Sequence, residues 1–426
     1  RTRVERIMRT AYHVSVASSS ASTSALGRAR RGSSAAAMAT RVDYDELFAR
    51  GRGGGCPSLH AAPMEGLGDS RFRIALSARG HGAFDEGCRE FIRIPGGCGF
   101  TDVGALGTQT NLLSRSCAGT LPNGANPEKL LRNLCGKYDA DELFGIPLAA
   151  QIMGSETTLL REASRILAHE LRAPRIDLNC GCPANVVTGK GAGSSLLRDP
   201  ELVYACLKAM VDGAAGADAI VTMKLRSGYD DASLLKDNLL AAKEAGVKFV
   251  SLHARTRKQG YSGRANYDHI KFAKDVLDIP VLGNGDVTNA ARCAQLLNAS
   301  NCDGVMIGRG AVQDPLIFRR IKASLSRDAN GVVTLNADAF EREFEVELVI
   351  NFLREFAEEV FKTENKPNGK RGSGVIAQEL ETFKVGKIKS IVKYIFAANE
   401  SLEPHMSSIM QIDPTRTSAK DVLASV

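Results

Sequence analysis

The sequence predicts an α/β fold: a (β/α)8 TIM barrel followed by a small all-helical C-terminal domain. Three observations carry this. Eight short apolar runs alternate with helical stretches between residues 59 and 307, the pattern of parallel strands covered by crossover helices. Two glycine-rich strand ends, Gly283-Asn-Gly-Asp286 and Ile307-Gly-Arg-Gly310, follow the seventh and eighth runs, where barrels often form a phosphate cradle. From Asn336 onward the pattern turns wholly helical. An open doubly wound sheet would carry G-x-G-x-x-G after its first strand, and none stands there.

The chain divides accordingly. Residues 1–50 form a leader whose first 41 residues hold eight Arg, eight Ser and one acid, Glu5. That composition resembles an organellar transit peptide, with a disordered extension as the alternative and Met38 as an internal start. Those 41 residues account for the whole net charge of +7, so bulk charge says nothing about nucleic acid. The barrel spans 57–325. Its expected strands are Leu59–Pro63, Ala83–Asp85, Leu148–Ile152, Arg175–Leu178, Ala219–Lys224, Phe249–His253, Pro280–Gly283 and Gly304–Ile307. Helical patterns at 157–171, 199–214, 232–245 and 289–298 separate the later ones. Residues 96–146, rich in Gly, Asn and Pro, read as an insertion after the second strand. Residues 336–426 form the helical domain, with helices at 339–361 and 375–396, a polar loop at 366–374 and a short tail helix near Ala419. Lys384, Lys387, Lys389 and Lys393 lie on its second helix with no acid among them; such a run is ordinarily a solvated face.

Ten cysteines occur without a C-x-x-C pair or a secretory signal, which argues for a reducing compartment and free thiols. Cys180 and Cys182 are too close for a zinc site lacking a second Cys/His pair, so no metal is expected. No run of 18 apolar residues exists, so no spanning helix is expected. The chain is expected to be a monomer, cytoplasmic or, if the leader is a transit peptide, plastid or mitochondrial.

The strand ends carry the chemistry. Gln151, Cys182, Lys224 and His253 close the third to sixth strands, and the two glycine loops close the last two. Each alone is compatible with a satisfied interior residue. Together they form a polar ring on one face that suits a flat heterocycle with a phosphate tail, for which flavin mononucleotide (FMN) fits better than a dinucleotide. Gln151 would meet amide edges, Lys224 would stabilise negative charge on a reduced ring, and His253 with the glycine loops would hold the phosphate.

Ala62-Pro-Met-Glu-Gly66, Asp177-Leu-Asn-Cys-Gly-Cys-Pro183, Lys224-Leu-Arg226, His253-Ala-Arg-Thr256, Asn284-Gly-Asp286 and Met306-Ile-Gly-Arg-Gly310 resemble, in order and spacing, the tRNA-dihydrouridine synthase family over residues 57–325. Within it, Asn179-Cys-Gly-Cys-Pro183, Glu90-Phe-Ile-Arg93 and Lys387-Ile-Lys389 look most like the bacterial C-type branch, which acts on uridine 16. The resemblance implies an FMN barrel, a helical tRNA-binding domain and NADPH as reductant. It implies FMN contacts from Pro63, Met64, Gln151, Lys224, His253, Asn284, Gly285, Asp286, Gly308 and Arg309. Cys182 would be the proton donor, with Cys180 left to packing. Glu90, Asn179, Arg226, Lys387, Lys389 and Tyr394 would orient the RNA. Arg89 stands where the family usually has Thr, and the insertion is a second departure; both bear on the target position.

The chemistry is consistent with those residues. Reducing uridine C5=C6 needs a hydride and a proton, and a thiol with a pKa of about 8.5 is protonated at neutral pH where a carboxyl is ionised. The base must leave the RNA stack to reach the site, which gives the lysine helix a role in gripping phosphates. Two other readings are a flavin barrel of the dihydroorotate dehydrogenase type acting on a free pyrimidine, and a non-catalytic tRNA-binding flavoprotein.

Overall fold

The computed structural model describes residues 42–52, 55–77, 83–95, 126–183, 191–328, 331–336, 342–362, 375–399, 402–403, 407 and 410–411. Residues 1–41, the first part of the expected insertion (96–125), the 366–374 loop and the expected tail helix near Ala419 lie outside them.

The first elements are α1 (Tyr44–Arg52), β1 (Ser58–Ala61) and α2 (Ser70–Ser77). The second barrel position is built in two pieces, β2 (Glu86–Cys88) and β3 (Ile92–Arg93). Next come α3 (Pro127–Cys135), β4 (Leu148–Met153) and α4 (Thr157–Arg165), the last running into one wider turn over Ile166–Glu170. Then follow β5 (Arg175–Cys180), α5 (Pro200–Ala214), β6 (Ile220–Gly228) and α6 (Leu235–Ala245). The repeat ends with β7 (Val250–Thr256), α7 (Asp268–Val276), β8 (Val281–Asn284), α8 (Ala290–Ser300) and β9 (Gly304–Ile307). Beyond it lie α9 (Arg309–Gln313), α10 (Ile317–Ser324) and an antiparallel pair, β10 (Leu325–Arg327) and β11 (Val333–Leu335). Two long helices, α11 (Arg342–Phe361) and α12 (Val375–Ala397), follow.

All barrel strands are parallel. β1 pairs with β2 and β9, the remaining strands pair in sequence down to β4, and β2 pairs with β4 to close the ring. This is an eight-stave TIM barrel, with β3 extending the second stave alongside β4. Local chemistry sets the helix ends. Asp199 caps α5 by accepting from the Leu202 amide at 3.0 Å, with Pro200 at the first helical position. Asn289 does the same for α8 through the Arg292 amide. Each cap satisfies an amide the helix cannot.

Strand β5 shows how the barrel sorts its residues. Ile176, Leu178 and Cys180 are fully buried in the hydrophobic layer beneath the helices. The alternate residues Arg175, Asp177 and Asn179 are also buried, but bond to one another's neighbours across the interior. Side-chain alternation along a strand produces this split. The interior at the N-terminal ends of the strands is an ionic cluster. Arg175 grips Glu86 at 2.8–3.0 Å, His60 Nδ1 lies 3.0 Å from Glu86, and the Tyr44 hydroxyl donates to it at 2.6 Å.

Two expectations shift here. The second strand begins at Glu86 rather than Ala83, because a charged residue that looks like a loop is neutralised inside the barrel by Arg175, His60 and Tyr44. The folded body also begins before residue 50. α1 buries Tyr44, Leu47 and Phe48 with Phe249, and Phe48 stacks over His60 with ring centroids 6.2 Å apart. The C-terminal helices join the barrel's own core: Phe352 of α11 meets Phe72 of α2 edge-on at 5.7 Å and stacks on Phe356. Among the described residues no helix is long and apolar enough to cross a membrane.

The ion pair makes a pH prediction. Glu86 is fully buried; burial opposes its charge, but Arg175 and His60 outweigh that and hold its pKa down at about 2, against 4.5 ordinarily. A carboxyl with a depressed folded pKa binds fewer protons folded than unfolded, so its stabilisation is present above about pH 4.5 and is lost as pH falls towards 2. Glu86→Gln is expected to destabilise the fold by about 3 kcal/mol at pH 7. Urea melts from pH 7 to pH 3 should show that difference shrinking with acidification.

Candidate active site

The C-terminal ends of the strands converge on an open cavity. It is lined by the apolar residues Ala62, Met64, Met306 and Ile307 and by the polar residues Lys224, His253, Asn284 and Arg309. Pro63, Gly285, Asp286 and Gly308 line it as well. Nine of the ten residues expected to hold the cofactor therefore share one cavity. The tenth, Gln151, is fully buried on β4, level with Asp177 and bonded to Asp177 and Asn179. One hydrogen bond is used at each end of its amide, and a primary amide has a second donor and a second lone pair to offer.

The electrostatics are those of crowded cations in a buried mouth. Burial, then repulsion from Arg226, draws the Lys224 pKa down to about 8. Burial, then the Lys224 charge, pushes His253 well below the ordinary imidazole range, so it stands as a neutral ring with one N–H to donate. Asp286 plays a different part from that expected. Burial opposes its ionisation, but the Ala265 amide and Arg255 hold its pKa low. Its carboxylate accepts from Arg255 at 2.7 Å and from Ala265 N at 2.7 Å. It therefore fixes the turn after β8, and its Oδ1 also lies 4.0 Å from the Arg309 guanidinium.

That turn and the next need glycine. Gly285 has φ +135°, and a side chain there would strike Ala265. At Gly310 a Cβ would come within 2.1 Å of the Val287 carbonyl oxygen. The two loops thus lock against each other, which holds Gly308 and Arg309 at the cavity edge. The Asn284 amide donates to the Met306 carbonyl at 2.8 Å, tying β8 to β9 beneath them.

Cys182 follows β5 on a turn made by Asn179. The Asn179 Oδ1 accepts from Gly181 N at 3.0 Å and from Cys182 N at 2.9 Å. Ser194 closes the other side, its hydroxyl and amide both donating to the Cys182 carbonyl. Arg226 clamps the turn through its Nε to Gly181 O at 2.9 Å, and anchors itself on the carbonyls of Thr256 and Gly260. Gly181 faces Lys224, since a Cβ there would lie 3.9 Å from its Nζ. Cys182 is partly exposed, whereas Cys180, two residues earlier, is fully buried on the helix side of β5. Burial raises the Cys180 thiol pKa well above its usual value.

The six residues expected to orient RNA fall into two groups. Asn179 and Arg226 are buried and hold the turn that carries Cys182. The other four are spread from the β2–β3 connection to α12. Glu90 is paired with the buried Arg73. Lys387 lies 2.8 Å from Asp69 and donates to the Gly66 carbonyl at 2.5 Å, so its ammonium is committed to holding the Pro63–Gly68 loop. Lys389 donates to the Met410 carbonyl, and Tyr394 is exposed. Tyr261 was not anticipated. It is exposed at the mouth, 4.2 Å under the Arg309 guanidinium and 5.3 Å from that of Arg226. A lone Tyr flanked by Gly260 and Gly263 was its only signal.

Comparison with known proteins places this geometry. Residues 120–360 match the family described as dihydrouridine synthase (Dus). The chain belongs to the dihydrouridine synthase family. Among relatives, the tRNA-dihydrouridine(16) synthase of Cupriavidus necator is 36% identical over 264 residues, covering 62% of this chain and 73% of that one. That of Ralstonia nicotianae is likewise 36% identical, over 63% and 74%. The tRNA-dihydrouridine synthase B of Pseudomonas syringae pv. tomato is 40% identical over a shorter stretch, 41% of this chain and about half (51%) of its own. Family membership makes the chain an oxidoreductase that forms dihydrouridine, the C5=C6-reduced form of uridine. Among the described residues no group of three or more His, Cys, Asp or Glu side chains is arranged to hold a metal ion.

The two cysteines of the β5 loop provide a direct check on this geometry. Iodoacetamide treatment of the native protein, followed by peptide mass spectrometry, should label Cys182 and leave Cys180 unmodified until the fold is denatured.

Proposed function

We propose that this chain reduces uridine 16 in the D-loop of tRNA, with FMN held in the cavity, NADPH as reductant and Cys182 as general acid. The observation that carries the reading is the Asn179 turn, which presents a partly exposed thiol at the rim of a cavity lined by Lys224, His253 and Arg309. Support for position 16 comes from the names of the relatives at 36% identity.

The donor set fits a flavin phosphate. The apolar lining of Ala62, Met64, Met306 and Ile307 suits a flat ring, and Pro63 and Met64 would border it. Lys224 would sit against the ring as the charge that favours its reduced, anionic form. Neutral His253, Arg309 and the backbone of Asn284, Gly285, Asp286 and Gly308 would hold the phosphate end. Gln151, from below, has amide capacity to meet the ring's polar edge. When bound, the flavin supplies the hydride that C6 of uridine gains.

This chain's own residues do the rest. Asn179 and Arg226 fix the Cys182 backbone, so the thiol stands at the mouth with its proton available to C5. The thiolate left behind is close to two cations, Lys224 and Arg226, and takes a proton from solvent before the next turnover. Tyr261, held by Arg309, forms one lip of the opening through which a flipped base passes. Lys389 and Tyr394 lie on α12, which packs beside α9 at the same end of the barrel, so RNA bound along α12 would lie near the mouth.

Two outcomes test the reading. Cys182→Ala should retain the flavin absorbance while dihydrouridine formed in tRNA, measured by nuclease digestion and mass spectrometry, falls about 100-fold or more; an unchanged yield would remove Cys182 from the acid role. Lys224 loses its proton as pH rises through about 8, so flavin affinity measured by fluorescence should weaken across that interval. Lys224→Met should bind more weakly and show no such step.

A further inference from the structure

We infer that Asp177 is a positioning residue for the acid loop, setting the direction of a hydrogen-bond relay that ends on Cys182. What Cys182 does there rests on the proposed reaction; how it is held rests on geometry alone. The relay runs up the barrel interior. Gln151 Nε2 donates to Asp177 Oδ2 at 2.7 Å, Asn179 Nδ2 donates to Gln151 Oε1 at 2.8 Å, and Asn179 Oδ1 accepts from the Gly181 and Cys182 amides.

Each amide could in principle be turned end for end, which would reverse every bond. Both termini forbid this. At the top, two backbone N–H groups can only donate, so Asn179 must show them its oxygen. At the bottom, the Asp177 carboxylate can only accept, so Gln151 must show it the NH2 end. The carboxylate is held as an acceptor by what surrounds its other oxygen: Oδ1 takes the Thr222 hydroxyl at 2.7 Å and Arg175 Nη1 at 3.3 Å. Oδ2 serves Gln151. Half of this carboxylate is therefore assigned to the relay, which a simple buried ion pair with Arg175 would not require.

Asp177→Asn tests the idea because it keeps shape and reverses polarity. The new side chain turns its oxygen to Thr222 and Arg175 and its NH2 to Gln151. Gln151 then flips, Asn179 flips, and an NH2 group faces the Gly181 and Cys182 amides. Adding Gln151→Glu restores the direction, since a carboxylate at 151 accepts both from the new amide at position 177 and from Asn179.

The readouts are alkylation of Cys182 by iodoacetamide, followed by peptide mass spectrometry, and single-turnover dihydrouridine formation per bound flavin. D177N is expected to raise the alkylation rate about fivefold and to lower dihydrouridine formation about tenfold or more. The D177N/Q151E pair is expected to return the alkylation rate to within about threefold of the parent; because Gln151 also faces the proposed flavin, the pair is judged by alkylation alone. Thr222→Val, which removes a donor to Asp177 without reversing the relay, should leave both within about threefold. A merely structural Asp177 predicts the opposite pattern: T222V resembling D177N, and the second change adding damage. D177N indistinguishable from the parent, or a double variant whose Cys182 is alkylated as fast as in D177N, overturns the inference. If D177N alone fails to fold, the double variant decides: folding with parent-like alkylation supports the relay, and failure to fold overturns it. A parent chain that forms no dihydrouridine counts against the reaction and leaves alkylation to judge the relay.

Discussion

The buried pair of Arg175 and Glu86 is the constraint on which the rest of the barrel depends. Two charges with no exposed surface persist only when bonded partners surround them, and here those partners are drawn from the surrounding elements. Tyr44 brings α1 across the N-terminal ends of the strands, His60 ties in β1, Thr222 ties in β6, and the Arg175 guanidinium lies 5.2 Å from the centre of the Phe249 ring. From Arg175 the same polar seam continues through Asp177 and Gln151 to Asn179 and the turn bearing Cys182. The interior end of the barrel and its chemical end are thus one connected hydrogen-bonded structure, bridged by Gln151 of β4 and otherwise carried on alternate residues of β5. The other alternate residues of that strand supply the hydrophobic contact with the helices.

At the opposite end the dominant fact is excess positive charge. Lys224 and Arg226 from β6, Arg255 from β7 and Arg309 from the start of α9 approach His253, and burial first, then their charge, keeps that ring neutral. A site built this way favours an anionic occupant, because each added negative charge relieves repulsion already present. Asp286 offsets part of this excess, its carboxylate paired with Arg255 and 4.0 Å from the Arg309 guanidinium, and it organises the loop at the same time.

How much of this could be read from residues alone depended on the range of the interaction. The barrel was legible because strands and helices announce themselves within short windows, and the strand ends Cys182, Lys224, His253 and Arg309 follow directly from those windows. Glu86 was not. It looks like a loop residue until its partner Arg175, 89 positions away, is placed beside it. The same applies to α1, whose few apolar residues gain meaning only over Phe249, and to Lys387, whose run of like charges reads as an RNA-facing surface until Asp69 and Gly66 appear beneath it. Interiors that satisfy themselves with polar partners distant in sequence are invisible to hydrophobic periodicity. Gln151 shows the same limit in milder form: the position was evident, its internal bonds were not.

The cation-rich mouth also explains why a thiol stands where the proton is to be given. A carboxyl placed beside Lys224 and Arg226 would be held ionised at neutral pH, and would then be an acceptor with nothing to donate. An imidazole in the same place would be stripped of its proton, as His253 is. A free thiol has a much higher pKa than a carboxyl, and a thiolate, once formed, is favoured by neighbouring cations. The same surroundings make an untethered thiolate reactive towards oxidants and electrophiles. The Asn179 turn, the Ser194 clasp and the Arg226 clamp therefore have two tasks: they aim Cys182 at the opening, and they keep the loop from carrying it further into solvent.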